Sequence, residues 1–273
     1  MKIGFIGAGN MGGALAKGYA SSLSADLSTG LIDSIIVYDA DTDKVTALSA
    51  LPAVQGASSL ADLYAKADAL VLCVKPQMID ILLDEIAWFA PDAGGKLVIS
   101  IAAGVSIGHL QTRLGEGTKA VRVMPNTPAM LGAGMSALSE GAALSAADRE
   151  TAETLFASVG KTVWVTEDLM DIVTGISGSS PAYAYMYIEG LINAGVAGGL
   201  TREAATLLAA QSTLGAARMA LESGTDPLQL RLNVCSPGGT TIEAVKVLEE
   251  AGLTDIIEKA AAAAAVKSKT MTK

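Results

Sequence analysis

The spacing of apolar residues changes character along the chain. Short continuous apolar runs recur in the first 165 residues, whereas only helical spacing follows them. Continuous apolar runs are typical of parallel strands, because both faces of a parallel sheet are covered. Strands are therefore predicted at 2–6, 34–38, 69–74, 97–101, 120–124, 135–138 and 162–165. The pattern predicts an α/β domain over residues 1–165 and an all-α domain over residues 166–273.

A glycine-rich loop follows the first predicted strand directly and leads into a helix. Residues 7–12 read Gly-Ala-Gly-Asn-Met-Gly. Glycines at this spacing allow a tight turn and the close approach of a pyrophosphate, which a helix N-terminus stabilises. The alternative is a tight glycine turn without a ligand. The strand, loop and helix predict a Rossmann-type dinucleotide-binding domain, with cofactor contacts from Gly7, Ala8, Gly9, Asn10 and Met11.

Asp39 ends the second predicted strand. A carboxylate there can accept hydrogen bonds from both hydroxyls of an adenosine ribose and would repel a 2′-phosphate. Thr42 and Lys44 lie close enough in sequence to serve a phosphate, and Asp39 as a simple turn residue is the alternative. The expected cofactor is therefore NADPH or NADH, with a slight preference for NADH.

The helix that opens at Ser180 and Pro181 is apolar on nearly every side. Serine and proline are a favoured pair at a helix start. An all-round apolar helix is buried on more than one side. It is either the central helix of its own domain or part of a subunit interface, for which small residues at 190, 194 and 198 offer close packing. We expect a homodimer formed by the C-terminal helices. Residues 260–265 favour a helix, and a frayed tail is expected from Lys267.

Residues 235–244, CSPGGTTIEA, make an unusual helix start. Hydroxyls and glycines precede an amphipathic helix expected from Thr241, although one threonine would have capped it. An over-built turn is one interpretation. The other is an anion site, since glycines let a ligand approach the backbone and a helix N-terminus presents free N–H groups.

The net charge and the cysteine content limit the kinds of binding partner and cellular compartment to be expected. The formal net charge is −9 and the pI about 4.7, which disfavours nucleic acid and anionic membranes. Two cysteines give no disulfide framework, and no apolar run reaches membrane-spanning length. A cytoplasmic protein without a metal is expected. The single histidine, His109, is expected at the surface or in a helix cap.

Seven segments resemble the pyrroline-5-carboxylate reductase family in order and spacing. They are GFIGAGNMGGALAKG, LCVKPQ, ISIAAGVS, RVMPNTPAM, GISGSSPAYAYMYIEGL, NAGVAGGLTREAA and CSPGGTTIEA. The resemblance runs from Met1 to about Ala265. It implies NAD(P)H-dependent reduction of the cyclic imine L-1-pyrroline-5-carboxylate to L-proline, the last step of proline biosynthesis. It also implies a homodimer through the helical domain, with higher homo-oligomers common.

The resemblance also assigns site residues. It implies that Thr241 orients the imine nitrogen as the catalytic residue. The residues implied to bind the substrate are Ser180, Ser236, Gly238, Gly239, Thr240 and Thr241. The residues implied to line the nicotinamide side are Val74, Lys75, Pro76, Ala103 and Asn126. Two positions depart from the family: many members have glycine at 180, and NADP-preferring members tend to have hydroxyl or basic residues at 39.

Two rival functions differ in testable ways. Hydroxyacid dehydrogenases have a similar domain plan but carry a catalytic lysine after the domain boundary, whereas residues 175–199 contain no Lys, Arg or His. A ketone reductase must protonate an alkoxide, while an imine can arrive already protonated. A dinucleotide sensor without turnover would not explain a second anion site.

Overall fold

The computed structural model describes residues 1–24, 30–90, 95–141 and 144–273. The chain divides into two compact units. The first comprises residues 1–179 together with 263–273, and the second comprises residues 180–262. The first unit is α/β and the second is helical, as the apolar spacing predicts.

Eight strands in the described part of the first unit form one sheet. They are β1 (Lys2–Ile6), β2 (Ser34–Tyr38), β3 (Val54–Gly56), β4 (Ala69–Leu72), β5 (Leu97–Ser100), β6 (Lys119–Met124), β7 (Gly134–Glu140) and β8 (Gly160–Trp164). Their order is β3-β2-β1-β4-β5-β6-β7-β8, and only β6 and β7 pair antiparallel. The strand order reverses its direction between β1 and β4, which opens a crevice at their carboxyl ends.

Helices cover both faces of the sheet. They are α1 (Asn10–Ser24), α2 (Thr42–Ser49), α3 (Leu60–Lys66), α4 (Ile79–Phe89), α5 (Ile107–Leu114), α6 (Ala146–Ala157) and α7 (Met170–Val173). In β4, Val71 packs into the core on one face, while Leu70 and Leu72 pack into the core on the other. This double burial is the reason for the continuous apolar runs.

The first unit extends past the boundary predicted near residue 165. After β8 the chain forms α7 and a π-helical turn at Thr174–Gly178. Met170 and Val173 of α7 are buried and cluster with Ala137 of β7. This apolar contact attaches residues 166–179 to the sheet, so the compact unit ends at Ser179.

The second unit contains α8 (Ser180–Ala197), α9 (Arg202–Glu222), α10 (Pro227–Asn233), α11 (Thr240–Glu250) and the start of α12 (Leu253–Met271). No residue of α8 is buried within the chain, and Met186 is 73% exposed, so α8 is not a central core helix. Gly195 makes the close approach to α9, because a Cβ there would lie 3.0 Å from that of Ala205. Gly190 faces open space.

The last helix is longer than the sequence suggests. α12 continues to Met271, and Ser268 near its end is buried. The frayed tail expected from Lys267 is therefore wrong, because contacts with the first unit order these residues. Among the described residues, no helix combines the length and apolarity needed to cross a bilayer.

Candidate active site

The glycine loop packs tightly on one side and is open on the other. Gly7 has φ +106°, and a Cβ there would lie 2.9 Å from the Cys73 carbonyl. A Cβ on Gly12 would lie 2.1 Å from the Gly7 oxygen. Gly9, in contrast, has no described atom within 4 Å of a built Cβ. Gly7 and Gly12 thus let the chain turn, and Gly9 leaves room for a ligand at the start of α1, where Asn10 is exposed and Met11 half-buried. The loop fits a pyrophosphate.

Asp39 connects the loop after β2 to the glycine loop. Its Oδ2 accepts a hydrogen bond from the Ala8 N–H at 2.6 Å, and its Oδ1 accepts one from the Asp41 N–H at 2.9 Å. Both carboxylate oxygens therefore have backbone donors, and each retains capacity for a further hydrogen bond. The charge is fixed beside the glycine loop, where the ribose of a bound dinucleotide would lie.

Lys44 lies next to this carboxylate, in the first turns of α2. Its ammonium forms an ion pair with Asp41 at 3.1 Å. The pKa of Lys44 is raised, mainly by its hydrogen bond to Asp41 and further by the charge of Asp39. Lys44, the cation that sequence suggests for a phosphate, is thus held by carboxylates.

A groove of about 420 Å³ lies at the carboxyl ends of β1, β2 and β4. Among its lining residues are five predicted cofactor residues, Gly7, Gly9, Asp39, Val74 and Lys75. Met78 and Ile81 also line it and were missed. The buried face of α4 is made of residues 79, 82, 83 and 86, so Ile81 lies off that face and is 60% exposed. The sequence does carry a signal for Ile81, because it is an apolar residue on the side of an amphipathic helix that normally carries polar residues.

A second groove, of about 480 Å³, follows α1 and shares Gly9 and Lys44 with the first. Asn10 and Lys17 contribute polar groups to it. Sequence reasoning missed Lys17, although its position two turns into the helix after the glycine loop was a signal for it.

The other predicted nicotinamide residues lie at different places along this edge. Pro76 begins a short 3₁₀ turn directly after Lys75. Ala103 lies after β5 and lines a separate pocket of about 250 Å³. The Asn126 amide is engaged within the protein, since its Nδ2 donates to the Ser177 carbonyl at 3.2 Å and its Oδ1 accepts from the Met135 N–H at 2.9 Å. Asn126 thus ties β7 to the π-helical turn.

The start of α11 presents free backbone donors. Its N-cap is Gly239, and no side chain of the described residues caps the first turn. Thr240 and Thr241 are the first two residues of the helix and are exposed, so neither threonine is the cap. Helix N-termini of this kind bind anions. The helix begins one residue before the predicted Thr241.

Two glycines shape the approach to α11. Gly238 has φ +68°, a conformation that favours glycine. The Gly239 N–H donates to the Ser236 carbonyl at 3.0 Å, and a Cβ on Gly239 would lie 3.2 Å from the Ser236 Oγ. The turn therefore places the exposed Ser236 hydroxyl beside the first N–H groups of the helix.

Three further polar residues have clear surroundings. Ser180 is the first residue of α8 and is half-buried. His109 is held in the first unit, where its Nε2 lies 2.6 Å from Asp80 Oδ1. Burial raises the pKa of the Cys73 thiol, which keeps it protonated. No group of three or more His, Cys, Asp or Glu side chains in the described parts of the chain is arranged to hold a metal.

Two family models match the chain in tandem. The model described as NADP oxidoreductase coenzyme F420-dependent matches residues 2–104, and that described as pyrroline-5-carboxylate reductase dimerisation matches residues 167–271. The second begins close to the predicted boundary, whereas the compact units divide at Ser179.

Relatives match over the whole length. The chain is 40% identical over 272 residues to the pyrroline-5-carboxylate reductases of Escherichia coli (strain K12) and Methanosarcina acetivorans, covering 100% of this chain and 98% of each of those. The solved reductase from Coxiella burnetii has a TM-score of 0.90 at 36% identity, over 99% of this chain and 98% of that one. The Plasmodium falciparum reductase with NADP bound has a TM-score of 0.86 at 34% identity, over 100% and 98%.

The doubly wound sheet and the open glycine loop at its carboxyl edge define a dinucleotide-dependent oxidoreductase. The matches to both of its halves narrow that class. The chain belongs to the pyrroline-5-carboxylate reductase family.

Proposed function

We propose that this protein reduces L-1-pyrroline-5-carboxylate to L-proline with a reduced nicotinamide dinucleotide, the last step of proline biosynthesis. The observation that carries the proposal is the uncapped start of α11, a second anion site in a chain that already has a dinucleotide groove. The substrate carries one carboxylate, for which the backbone N–H groups of Thr240 and Thr241 are suitable partners. Pyrroline-5-carboxylate is taken as the substrate because the relatives are named for its reduction.

The chemistry places modest demands on the protein. When bound, the reduced nicotinamide supplies the hydride. The imine can arrive protonated, so the hydride cancels a charge and no strong acid is needed. The Thr241 hydroxyl then orients the ring nitrogen, while Ser236, Gly238 and the N–H groups of α11 hold the carboxylate. This is catalysis by positioning. The absence of Lys, Arg and His from residues 175–199 agrees with it.

An absorbance assay tests the proposed reaction. The protein is mixed with pyrroline-5-carboxylate and either NADH or NADPH, and the reduced-nicotinamide band is followed while proline is quantified. Loss of the band with equimolar proline is expected. If neither cofactor is consumed although both bind, the protein is a dinucleotide sensor and the proposal is wrong.

We further propose that NADH is the preferred cofactor. Asp39 places a fixed negative charge at the ribose end of the groove, and Asp41 holds the nearby Lys44. A 2′-phosphate would meet repulsion from Asp39 there, and Lys44 is already paired with Asp41. The NADP-bound state of the Plasmodium falciparum relative describes that protein, and cofactor choice can differ between members.

Removing the Asp39 charge is expected to shift cofactor preference toward NADPH. Asp39→Ser should raise kcat/KM for NADPH relative to NADH about tenfold, the equivalent of about 1.4 kcal/mol. Because serine cannot replace both backbone hydrogen bonds of Asp39, activity with NADH should also fall. Asp39→Asn keeps the shape and removes the charge, so it should shift the ratio in the same direction. A wild type that prefers NADPH tenfold would contradict the proposal.

The helical unit supports a homodimer. The family model that matches it is a dimerisation domain, and its exposed large apolar side chains include Met186, Leu207 and Val247, the last two 69% and 65% exposed. Large apolar side chains exposed in such number on one unit are a mark of protein contacts. Sedimentation equilibrium at micromolar concentration is expected to give a dimer or a multiple of it, and a monomer would contradict this.

A cytoplasmic location is also proposed, supported by two free cysteines.

A further inference from the structure

The end of α12 packs directly on the loop that follows β5. The Lys273 N–H donates to the Gly104 carbonyl at 2.8 Å, and the Ser106 hydroxyl donates to the Lys273 carbonyl at 2.6 Å. Gly104 has φ +73°, and a Cβ there would lie 2.6 Å from the Met271 carbonyl oxygen. The two backbones are therefore too close for any side chain at position 104.

Side chains anchor this 268–273 segment at both ends. The buried Ser268 hydroxyl donates to Asp171 Oδ1 in α7 at 2.7 Å. At the other end, the Lys273 ammonium pairs with the Asp80 carboxylate in α4, which also contacts His109 of α5. The pKa of Asp80 is lowered to about 2, first by Lys273 and then by His109. Its side chains thus hold the segment to α7 and α4, and Asp80 links it to His109 of α5.

The loop beneath it, residues 102–106, lies at a functional edge. Asp39 after β2 marks the ribose end of the dinucleotide groove, and the glycine loop after β1 marks its middle. A dinucleotide that continues in the same direction reaches the carboxyl ends of β4 and β5. The loop after β5 therefore borders the nicotinamide half. Ala103 and Gly104 have little side chain of their own with which to fix its position.

We infer that the 268–273 segment is a positioning element that holds the 102–106 loop against the nicotinamide half of the dinucleotide. The inference rests on the proposed function. Hydride transfer needs the reacting atoms within about 3–3.5 Å, and a displacement of about 1 Å can cost about 100-fold in rate. One backbone hydrogen bond, one hydrogen bond from the Ser106 hydroxyl and a close backbone contact supply that constraint from a part of the chain distant in sequence.

Deletion of residues 271–273 tests the role of the segment. We expect kcat to fall about 10- to 100-fold, because the loop loses its backbone partners. ADP-ribose lacks the nicotinamide, so the segment is not expected to affect its binding. Its inhibition constant should stay within about twofold of the wild-type value. Lys259→Ala is the matched control, because Lys259 lies on the same helix outside the 268–273 segment and is exposed, and it should behave as wild type.

A second variant removes the dependence on a deletion. In Gly104→Ala, the added methyl group forces the 102–106 loop and the 268–273 segment apart. This variant should also lower kcat while leaving ADP-ribose binding unchanged. Gly224→Ala is its control, because Gly224 has the same backbone conformation, φ +67°, with no described atom within 4 Å of a Cβ. It carries the backbone strain without the contact and should retain wild-type kcat.

The outcomes separate the two proposals. Wild-type kcat in both the deletion and Gly104→Ala would overturn the inference, and so would an ADP-ribose constant that rises in step with the loss of kcat. A wild-type protein inactive on pyrroline-5-carboxylate would contradict the proposed function instead. In that case the difference in affinity between NADH and ADP-ribose still reports the contact between the 102–106 loop and the nicotinamide. The inference requires this difference to shrink in both variants.

Discussion

Gly9→Val is expected to abolish dinucleotide binding while the protein stays folded. A Cβ on Gly9 meets no described atom within 4 Å, so the valine fits the folded chain but occupies the space that a pyrophosphate needs. Loss of one charge-assisted hydrogen bond, about 1.5–3 kcal/mol, weakens binding about 10- to 150-fold. Loss of several such hydrogen bonds would make dinucleotide binding undetectable. Fluorescence titration with NADH and NADPH, beside circular dichroism of the same sample, measures both parts.

Two other glycines make the test specific. Gly12→Val should unfold the domain, because its Cβ would lie 2.1 Å from the Gly7 oxygen. Gly117→Val should bind both cofactors like wild type, because Gly117 is also open but lies in the turn between α5 and β6. Equal affinity of Gly9→Val and wild type for both cofactors would show that the loop does not bind the dinucleotide.

The strands were predictable because their environment is uniform. Residues of β1, β4 and β5 are buried on both faces, so the apolar runs marked them directly. β3 escaped notice, because Val54 is its only buried residue and a three-residue strand leaves no pattern. The start of α11 was located to within one residue, since glycines and hydroxyls before an apolar periodicity are a strong local signal.

Contacts between distant residues were out of reach of the sequence. Ser106 and Lys273 are hydrogen-bonded although they are 167 positions apart in sequence. Nothing in the sequence around either residue indicates this contact. Asn126 is predicted at the nicotinamide, and the structure adds that its amide joins Ser177 to Met135. Asp39 was expected to face a ribose, and the structure adds that it also holds the glycine loop through Ala8. Tertiary hydrogen bonds of this kind depend on the fold, which pattern and propensity do not specify.

Thr241→Val is expected to lower kcat/KM for pyrroline-5-carboxylate about five- to 150-fold, the equivalent of one lost hydrogen bond of about 1–3 kcal/mol. Valine keeps the shape of threonine, and the backbone N–H groups at the start of α11 remain, so the carboxylate should still bind. The KM of the cofactor should barely change. Steady-state kinetics with both substrates varied give these constants.

The cap interpretation makes a different prediction for the same variant. Gly239, not a threonine, is the N-cap of α11, so loss of the Thr241 hydroxyl should not destabilise the helix. Thr254→Val is the matched control, because Thr254 is also the exposed second residue of a helix, α12, and its change should leave kcat/KM as in wild type.

Ser236→Ala separates binding from positioning. A carboxylate contact is made equally in the ground and transition states, so its loss should raise the KM for pyrroline-5-carboxylate more than it lowers kcat. Thr241→Val should instead act mainly on kcat, since orientation of the imine nitrogen matters most as the hydride arrives. Both variants should still form dimers, because neither removes apolar surface. Wild-type kcat/KM in Thr241→Val would show that the hydroxyl does not orient the substrate.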